Sequence, residues 1–427
     1  MILINKLLQN LQNKHYYDAL NYNIFGYFSK FLVILTSILM INRFPLDEYG
    51  LFALYTTYSI IIIKLTNFSF EKVHIIYAIE EKEKYKVYSN IILLKFLFTL
   101  VKYLCIFLFI SMIEHKLFFI VIFTIYELQT YYELNSTFFD INHEFRYKTY
   151  FNFALNSILL FWLVLLTYIL KDIDLEKFII GSLFIRIILF FLLTKKTKLE
   201  VHLSQINFSF IKKILFDGIN IALIALFITL YFRIDIVMLE SLHITMTDIG
   251  LYAALYKIFE GIIFISSQVR TLFFPKFIKE RNTYKLYEKL KKLLLIQTIL
   301  AIVVISLLIL LREPLLIYAL NLDMNIIESS TLLYNVIIFT IFFSFLNDSL
   351  MSFYMSKKKY KEIQIFTFSV MMINIILNFL VIPSYGIFGA SISTIISEAI
   401  LAILFIVFVK KFLYKNQLGE ESEQKKY

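Results

Sequence analysis

The stretch TLYFRIDIVML (229–239) places Arg233 and Asp235 two positions apart inside an apolar segment, 214–240. On a helix, residues two apart point about 200° away from each other, so the two charges cannot pair and each needs a partner elsewhere. Further charges sit inside other apolar segments: Lys30 in 22–42, Lys64 in 49–70, and Lys257, Glu260 and Arg270 in 249–275. A charge at the centre of a bilayer costs roughly 3 kcal/mol and normally faces a bundle interior or water. Counted from the segment ends, Lys30 and Lys64 lie at similar depth, roughly 10 Å from one surface. Arg233 and Lys257 match in depth from the opposite surface, and Arg270 lies near the first. Together they read as a ladder of cations along segments 1, 2, 7 and 8. Such groups can replace the hydration shell of an anion, and Arg does so bidentately. Lys30, Lys64, Lys257 and Arg270 are therefore the candidate anion-binding residues. Arg233, Asp235 and Glu260 are the candidate gate or ion-pairing residues. Glu260 is the expected partner of Arg233, and a cation on a neighbouring segment is expected for Asp235.

The remaining charges within segments are Lys95, Lys102, Arg186, Glu127, Glu133 and Glu398. Lys95 and Lys102 are i and i+7 on one segment, where one can snorkel; Arg186 reads as a structural pair, and Glu127, Glu133 and Glu398 read as counter-ions. The six His are mostly in or near loops and lack metal-ligand spacing. No phosphate-binding loop, catalytic triad or metal constellation is present in the sequence, so an enzyme is not expected and no cofactor is implied.

The elements that must position these charges follow from composition. Of 427 residues, 59% are hydrophobic and 17% charged, with a mean hydropathy of +0.75. An ordinary soluble domain carries about a quarter charged residues. Twelve apolar segments are expected as transmembrane helices: 22–42, 49–70, 88–111, 117–139, 150–170, 175–194, 214–240, 249–275, 292–311, 327–351, 363–382 and 386–409. Each is about the 20 residues that cross ~30 Å of hydrocarbon. The class is all-α integral membrane. Barrel strands would alternate and be about ten residues long. Pro45, Pro314 and Pro383 fall between segments and Pro275 at the end of one, as suits a helix terminator. The single cysteine, Cys105, excludes an internal disulfide. Residues 1–21 read as an amphipathic segment rather than a signal peptide, since Lys6, Lys14 and Asp18 interrupt any apolar core.

Orientation follows from Lys and Arg in the loops. Of 42 such residues, 29 fall on the side of the N-terminus, 5 on the opposite side and 8 within segments. Both termini are expected in the cytoplasm of a multi-pass cell membrane protein. The net charge of +10 is mostly this bias and implies contact with the lipid bilayer, not with nucleic acid.

An internal repeat organises the segments. DEYGLFALY (47–55) and TDIGLYAAL (247–255) align at an offset of 200, with Gly50 on Gly250, Leu51 on Leu251, Phe52 on Tyr252 and Ala53 on Ala253. Segments 1–2 thus match segments 7–8. The chain divides into a six-helix half at 22–194 and another at 214–409, joined by a basic cytoplasmic linker at 195–213 and followed by a tail at 410–427. Parallel halves imply a pseudo-twofold axis along the membrane normal and a binding site near the midplane.

Three blocks then point to a family. FGYFSKFLVILTSILMINRFPLDEYGLFALYTTYSI resembles the opening of Wzx-type polysaccharide-biosynthesis flippases. YFRIDIVMLESLHITMTDIGLYAALYKIFEGIIFISSQVRTLFFPKF is similar to the same family's span 7–8 region, with its R-x-D-x-x-M-L, G-x-Y-x-A and terminal Phe-Pro elements. NIILNFLVIPSYGIFGASISTIISE (374–398) resembles its last hairpin. In that block Asn374 and Asn378 share one helix face, and Gly386, Gly389, Ala390, Ser391 and Ser393 form a small-residue surface; both features read as helix packing.

The resemblance implies a MATE/MOP-like fold and alternating access. It implies a cargo of polyprenyl-pyrophosphate-linked oligosaccharide, of the undecaprenyl type, flipped to the outer leaflet of a bacterial cytoplasmic membrane for O-antigen, capsule or exopolysaccharide synthesis. Lys30, Lys64, Lys257 and Arg270 would then hold the pyrophosphate and sugar. A monomer is expected, with a polysaccharide polymerase and chain-length machinery as partners and with H+, Na+ or the membrane potential as the drive. The rival of the same fold is a cation-coupled drug exporter of the MATE type. In that branch segment 1 characteristically carries an acidic coupling residue; here it carries Lys30 and no acid.

Overall fold

A long apolar run can satisfy its backbone in hydrocarbon only by closing it into helix. The computed structural model describes residues 14–80, 84–171 and 174–424, and these are helical nearly throughout. The helices are α1 (Lys14–Arg43), α2 (Leu46–Thr66), α3 (Phe70–Glu80), α4 (Lys84–Phe109), α5 (Lys116–Ile141) and α6 (Phe145–Val164). They continue with α7 (Leu175–Thr197), α8 (Phe208–Ser241), α9 (Met246–Lys279), α10 (Thr283–Leu310), α11 (Met324–Ser356) and α12 (Tyr360–Gln424). Among the described residues, 11 helical stretches are long and apolar enough to cross a membrane. One of them, Tyr360–Phe412, has 53 residues, enough for two crossings. It contains the expected segments 363–382 and 386–409. They are two helices that meet at Gly386 (φ 54°, ψ −134°), a conformation open to a residue without Cβ. Pro383 lies three residues before that break, in the last turn of the first helix, and Pro275 lies inside α9, four residues before its end. Membrane helices tolerate an interior proline because neighbours re-satisfy the freed carbonyl.

Helix α3 has no counterpart among the twelve expected segments. It is 11 residues long, too short to span, and the apolar count passes over it. It follows Ser69, whose φ of 51° breaks the chain direction after α2. Phe70, Val73 and Tyr77 bury themselves against Val87, Tyr88, Ile91 and Leu94 of α4 and Ile211 and Ile214 of α8. His74 is buried here too, 2.6 Å from Thr137 Oγ1, so this histidine is not a loop residue.

The chain clusters into two compact units. Unit 1 comprises residues 1–44 and 58–222; unit 2 comprises 45–57 and 223–427. In unit 1, α1 packs along α6, and α5 packs along α7 and α3. Trp162 of α6 lies over Gly181 of α7 and donates to the Phe178 carbonyl at 3.2 Å. The expected linker 195–213 is shorter in the structure, because α7 runs to Thr197 and α8 begins at Phe208. It is held against α4. Ser89 Oγ accepts from His202 N at 2.9 Å, and Asn90 accepts from Asn207 N at 2.8 Å and donates to Gln205 O at 3.0 Å. Of the amphipathic segment 1–21, residues 14–21 begin α1 and residues 1–13 lie outside the described residues. Of the tail 410–427, α12 includes all but 425–427, which also lie outside.

In unit 2, α11 packs on α9, α10 and α12, around Phe277, Leu293, Phe353, Val370 and Phe405. Thr245 caps α9, accepting from Asp248 N at 3.2 Å and donating to Asp248 Oδ2 at 2.7 Å. At the other end of α9, Lys357 Nζ donates to the carbonyls of Phe277 (2.8 Å) and Glu280 (3.0 Å), where the helix leaves negative partial charge. The repeated glycines meet in this unit. A Cβ on Gly50 would lie 2.9 Å from Gly250 N and closer still to the Met246 carbonyl oxygen. A Cβ on Gly250 would lie 3.1 Å from Gly50 N and closer still to the Leu46 oxygen. The two repeat copies thus touch backbone to backbone at equivalent residues. Large apolar side chains elsewhere face outward, such as Phe107 (73% exposed) and Phe216 (75%), as they do when lipid is the solvent.

Candidate functional site

In unit 2 the charges of α8 and α9 converge on one carboxylate. Glu260 Oε1 accepts from Arg233 at 2.8 Å, and its Oε2 accepts from Lys257 at 2.8 Å. Arg233 reaches across from α8. Lys257 lies one turn along the same face of α9, where i and i+3 meet. The three side chains are 24%, 34% and 25% exposed for Arg233, Lys257 and Glu260, so the cluster is half-buried and reachable. Two cations on one acid leave a formal charge of +1. Two cations sharing one acid cost less than two bare cations would.

Asp235 points elsewhere, and among the described residues no cation pairs with it. Its Oδ2 accepts from Tyr252 Oη at 2.7 Å and Thr394 Oγ1 at 2.9 Å, and its Oδ1 from Asn378 Nδ2 at 3.3 Å. This corrects the expectation of a basic partner on a neighbouring helix. Three neutral donors from α9 and α12 satisfy a buried carboxylate without placing a second charge in the core. The chain of polar contacts continues from Asn378 to Asn374 Oδ1 (3.1 Å) and from Asn374 to Ser397 Oγ (3.4 Å). Asn374 and Asn378 thus do bond across helices, but to this acid as well as to a packing surface. Replacing Asp235 with Ala strands the buried Tyr252 hydroxyl, while Thr394 and Asn378 keep the Ala390 oxygen and Asn374 Oδ1 as acceptors. The expected loss is roughly 1–3 kcal/mol of stability by thermal unfolding in detergent, with Asp235→Asn losing less.

Arg270 stands apart from the first cluster. Its Nε is 3.0 Å from Asp348 Oδ2, which Ser266 Oγ also approaches at 3.1 Å. Asp348 of α11 neutralises the cation that sequence reading left single, so the ladder expected in segments 7 and 8 is in fact one +1 cluster and one neutral pair. In unit 1, Lys30 is exposed on α1 and Lys64 is half-buried near the end of α2. Lys102 pairs with Glu127 at 2.5 Å, both buried, and Thr99 Oγ1 donates to the same carboxylate at 2.6 Å. Lys95 is equally buried, its ammonium 4.8 Å from the Tyr131 ring centroid. Glu133 accepts from Gln129 at 3.2 Å. Among the described residues Arg186 makes no ion pair; it donates to Ser182 O at 3.3 Å beside a cleft shared with Gln129 and Tyr132. Among the described residues Glu398 forms no ion pair, and its carboxylate accepts from Asn347.

Sequence reading thus located Arg233, Lys257 and Glu260 as a group but missed Tyr252, Thr394 and Asp348. Tyr252 and Thr394 are neutral and sit in apolar or small-residue runs, where nothing marks them. Asp348 carried a usable signal: an acid well inside segment 327–351.

No family model matches the chain, and no curated protein matches it. Solved structures do. The chain is similar to the lipid II flippase MurJ in an inward closed conformation, at TM-score 0.64 and 18% identity over 92% of this chain and 87% of that one. It is similar to a multidrug resistance MATE family transporter of the MOP superfamily in an inward-facing conformation, at TM-score 0.69 and 11% identity over 91% and 95% of the two chains. A MATE protein in the straight conformation matches at TM-score 0.61 and 12% identity over 92% and 94%. At these identities the likeness is one of fold. The chain has the all-helical fold shared by MurJ and the MATE transporters, and these neighbours are transporters rather than enzymes.

Proposed function

We propose that the protein is a Wzx-type flippase of the MOP superfamily. It moves polyprenyl-pyrophosphate-linked oligosaccharide repeat units from the cytoplasmic to the outer leaflet by alternating access. The observation that carries this reading is the Arg233–Lys257–Glu260 cluster: half-buried, on two helices apolar enough to cross a membrane, and net positive. A pyrophosphate carries two to three negative charges that must leave water, and Lys and Arg replace that hydration. The fold shared with a lipid II flippase supports the same class of cargo. Lys30 and Lys64 add two cations in unit 1, and segment 1 contains no acid.

On this reading the protein is not an enzyme. It acts as a monomer in the cytoplasmic membrane with both termini inside, beside a polysaccharide polymerase and its chain-length machinery. The drive is H+, Na+ or the membrane potential acting on buried acids of unit 2. The second reading, a cation-coupled exporter, is favoured by one observation, the higher TM-score of 0.69 to a MATE transporter. It would place acids, not a net cation, at the exposed site.

The test is reconstitution with a fluorescent lipid-linked oligosaccharide. Lys30→Ala combined with Lys64→Ala is expected to slow translocation on the order of tenfold or more, the equivalent of about 1.4 kcal/mol. Translocation by the double variant at the wild-type rate would remove the cation role in unit 1.

A further inference from the structure

The cleft beside Arg186 in unit 1 shares no residue with the clusters of unit 2. Its walls are Leu128, Gln129 and Tyr132 of α5, Leu155 of α6, and Arg186 and Leu189 of α7. Arg186 is the middle residue of α7, equally far from Leu175 and Thr197. At 1.5 Å of rise per residue it lies about 16 Å from either end of the helix. Its guanidinium donates to Ser182 O at 3.3 Å, while its Nε is buried and has no acceptor. The titratable group that faces it is the Tyr126 phenol of α5, and among the described residues no Asp or Glu pairs with it.

Tyr132 supplies a second unpaired group. The residue is 6% exposed, and its Oη is buried without a partner. Gln129 lies one turn before it on the same face of α5. Its Nε2 gives one hydrogen to Glu133 Oε1 at 3.2 Å and retains a second. Glu133, the acid that faces Tyr132, is thus already engaged. What the cleft leaves unused is a set of donors: the Arg186 Nε–H, the Tyr132 hydroxyl and the second Gln129 hydrogen. A water molecule accepts from such groups but leaves the charge of Arg186 unbalanced among three leucines, where a low dielectric makes it costly. An anion meets both demands. Two observations set its kind. One uncompensated cation balances one negative charge. The cleft measures about 220 Å3, below the roughly 300–1,000 Å3 of sites for drug-sized ligands, so it has no room for a saccharide pyrophosphate. A lipid phosphate sits near helix ends, far from the middle of α7.

We infer that Arg186, Tyr132 and Gln129 form a binding site for a small monovalent anion, chloride in the first instance. Bound there, the ion neutralises Arg186 and ties α5 to α7. Binding itself does not depend on the flippase reading.

The test uses the full-length protein without cargo, in phosphatidylcholine nanodiscs at fixed pH, with NaCl titrated against sodium gluconate at constant ionic strength. Wild type is expected to show a saturable rise in Tm with chloride, because a ligand of the folded state stabilises it by mass action. Bromide should act in place of chloride. Arg186→Gln should abolish the rise. Tyr132→Phe, which removes the hydroxyl and leaves the ring, should shift the chloride midpoint on the order of tenfold upward and keeps the test decisive if Arg186→Gln does not fold. The site is wrong if chloride and gluconate give the same Tm, as water in the cleft would, or if both variants keep the wild-type midpoint. It is also wrong if Lys257→Gln abolishes the response and Arg186→Gln does not, which would put the anion on the cluster of unit 2. Equal stabilisation by phosphatidylglycerol nanodiscs without chloride would make the occupant a lipid phosphate and overturn the assignment. A chloride response together with failed oligosaccharide flipping would sink the proposed cargo and leave this site standing.

Discussion

Gly250→Ala and Gly50→Ala each lower the unfolding temperature, whereas Gly26→Ala leaves it unchanged or raises it. A Cβ on Gly250 would run into the Leu46 carbonyl oxygen and one on Gly50 into that of Met246; both obstacles are backbone and cannot rotate away. Overpacking costs typically 1–3 kcal/mol where side chains can adjust, and more where a helix axis must shift. Against this, Ala in place of Gly gains up to about 1 kcal/mol of helix propensity. The net expectation is a loss of about 2 kcal/mol or more, or roughly 2 °C for a chain of this size. Gly26, in α1, meets only Thr149 Cγ2, 3.9 Å from the new atom, so propensity alone decides its sign. The double variant Gly50→Ala with Gly250→Ala should lose less than the two singles added, because one added methyl group already separates the same two backbones. Thermal unfolding in detergent reads all four. A Gly250→Ala protein that melts with wild type would mean that the repeat glycines do not meet as described.

That contact shows what a sequence makes legible. The repeat at an offset of 200 was visible as Gly50 and Gly250, and the long apolar helices were visible as apolar length, because both depend on residue type along the chain. The mutual contact of the two copies was not, since it is a property of two helices and of missing atoms. Arg233 and Glu260 were legible as partners because a charge in hydrocarbon demands one and their depths agreed. Asp235 was misjudged for a physical reason. The same demand can be met by a phenol, a hydroxyl and an amide, and Tyr252, Thr394 and Asn378 look like core and packing residues until the helices are brought together. The short α3 escaped because periodicity and length arguments need more than its 11 residues.

The sharpest test of the cargo's charge is Glu260→Gln set beside Lys257→Gln. Glu260 separates two cations, so removing its charge leaves Arg233 and Lys257 facing one another and raises the cluster from +1 to +2. Breaking a fully buried pair costs about 3–5 kcal/mol; with these side chains about a quarter exposed, roughly 1–3 kcal/mol is expected after solvent screening. Lys257→Gln instead leaves the neutral Arg233–Glu260 pair at 2.8 Å and should unfold close to wild type. Adding Lys257→Gln to Glu260→Gln returns the cluster to +1 and should recover most of the stability. Transport kinetics then separate the two cargo classes by sign. For an anionic pyrophosphate, Glu260→Gln binds tighter and releases more slowly, so KM and kcat both fall. Lys257→Gln brings the cluster to zero and raises KM. A cationic drug would respond in the opposite sense, with Glu260→Gln raising KM and Lys257→Gln lowering it. The pair of variants therefore decides between flippase and exporter without knowledge of the sugar, and a rise in KM for lipid-linked oligosaccharide in Glu260→Gln would count against the flippase.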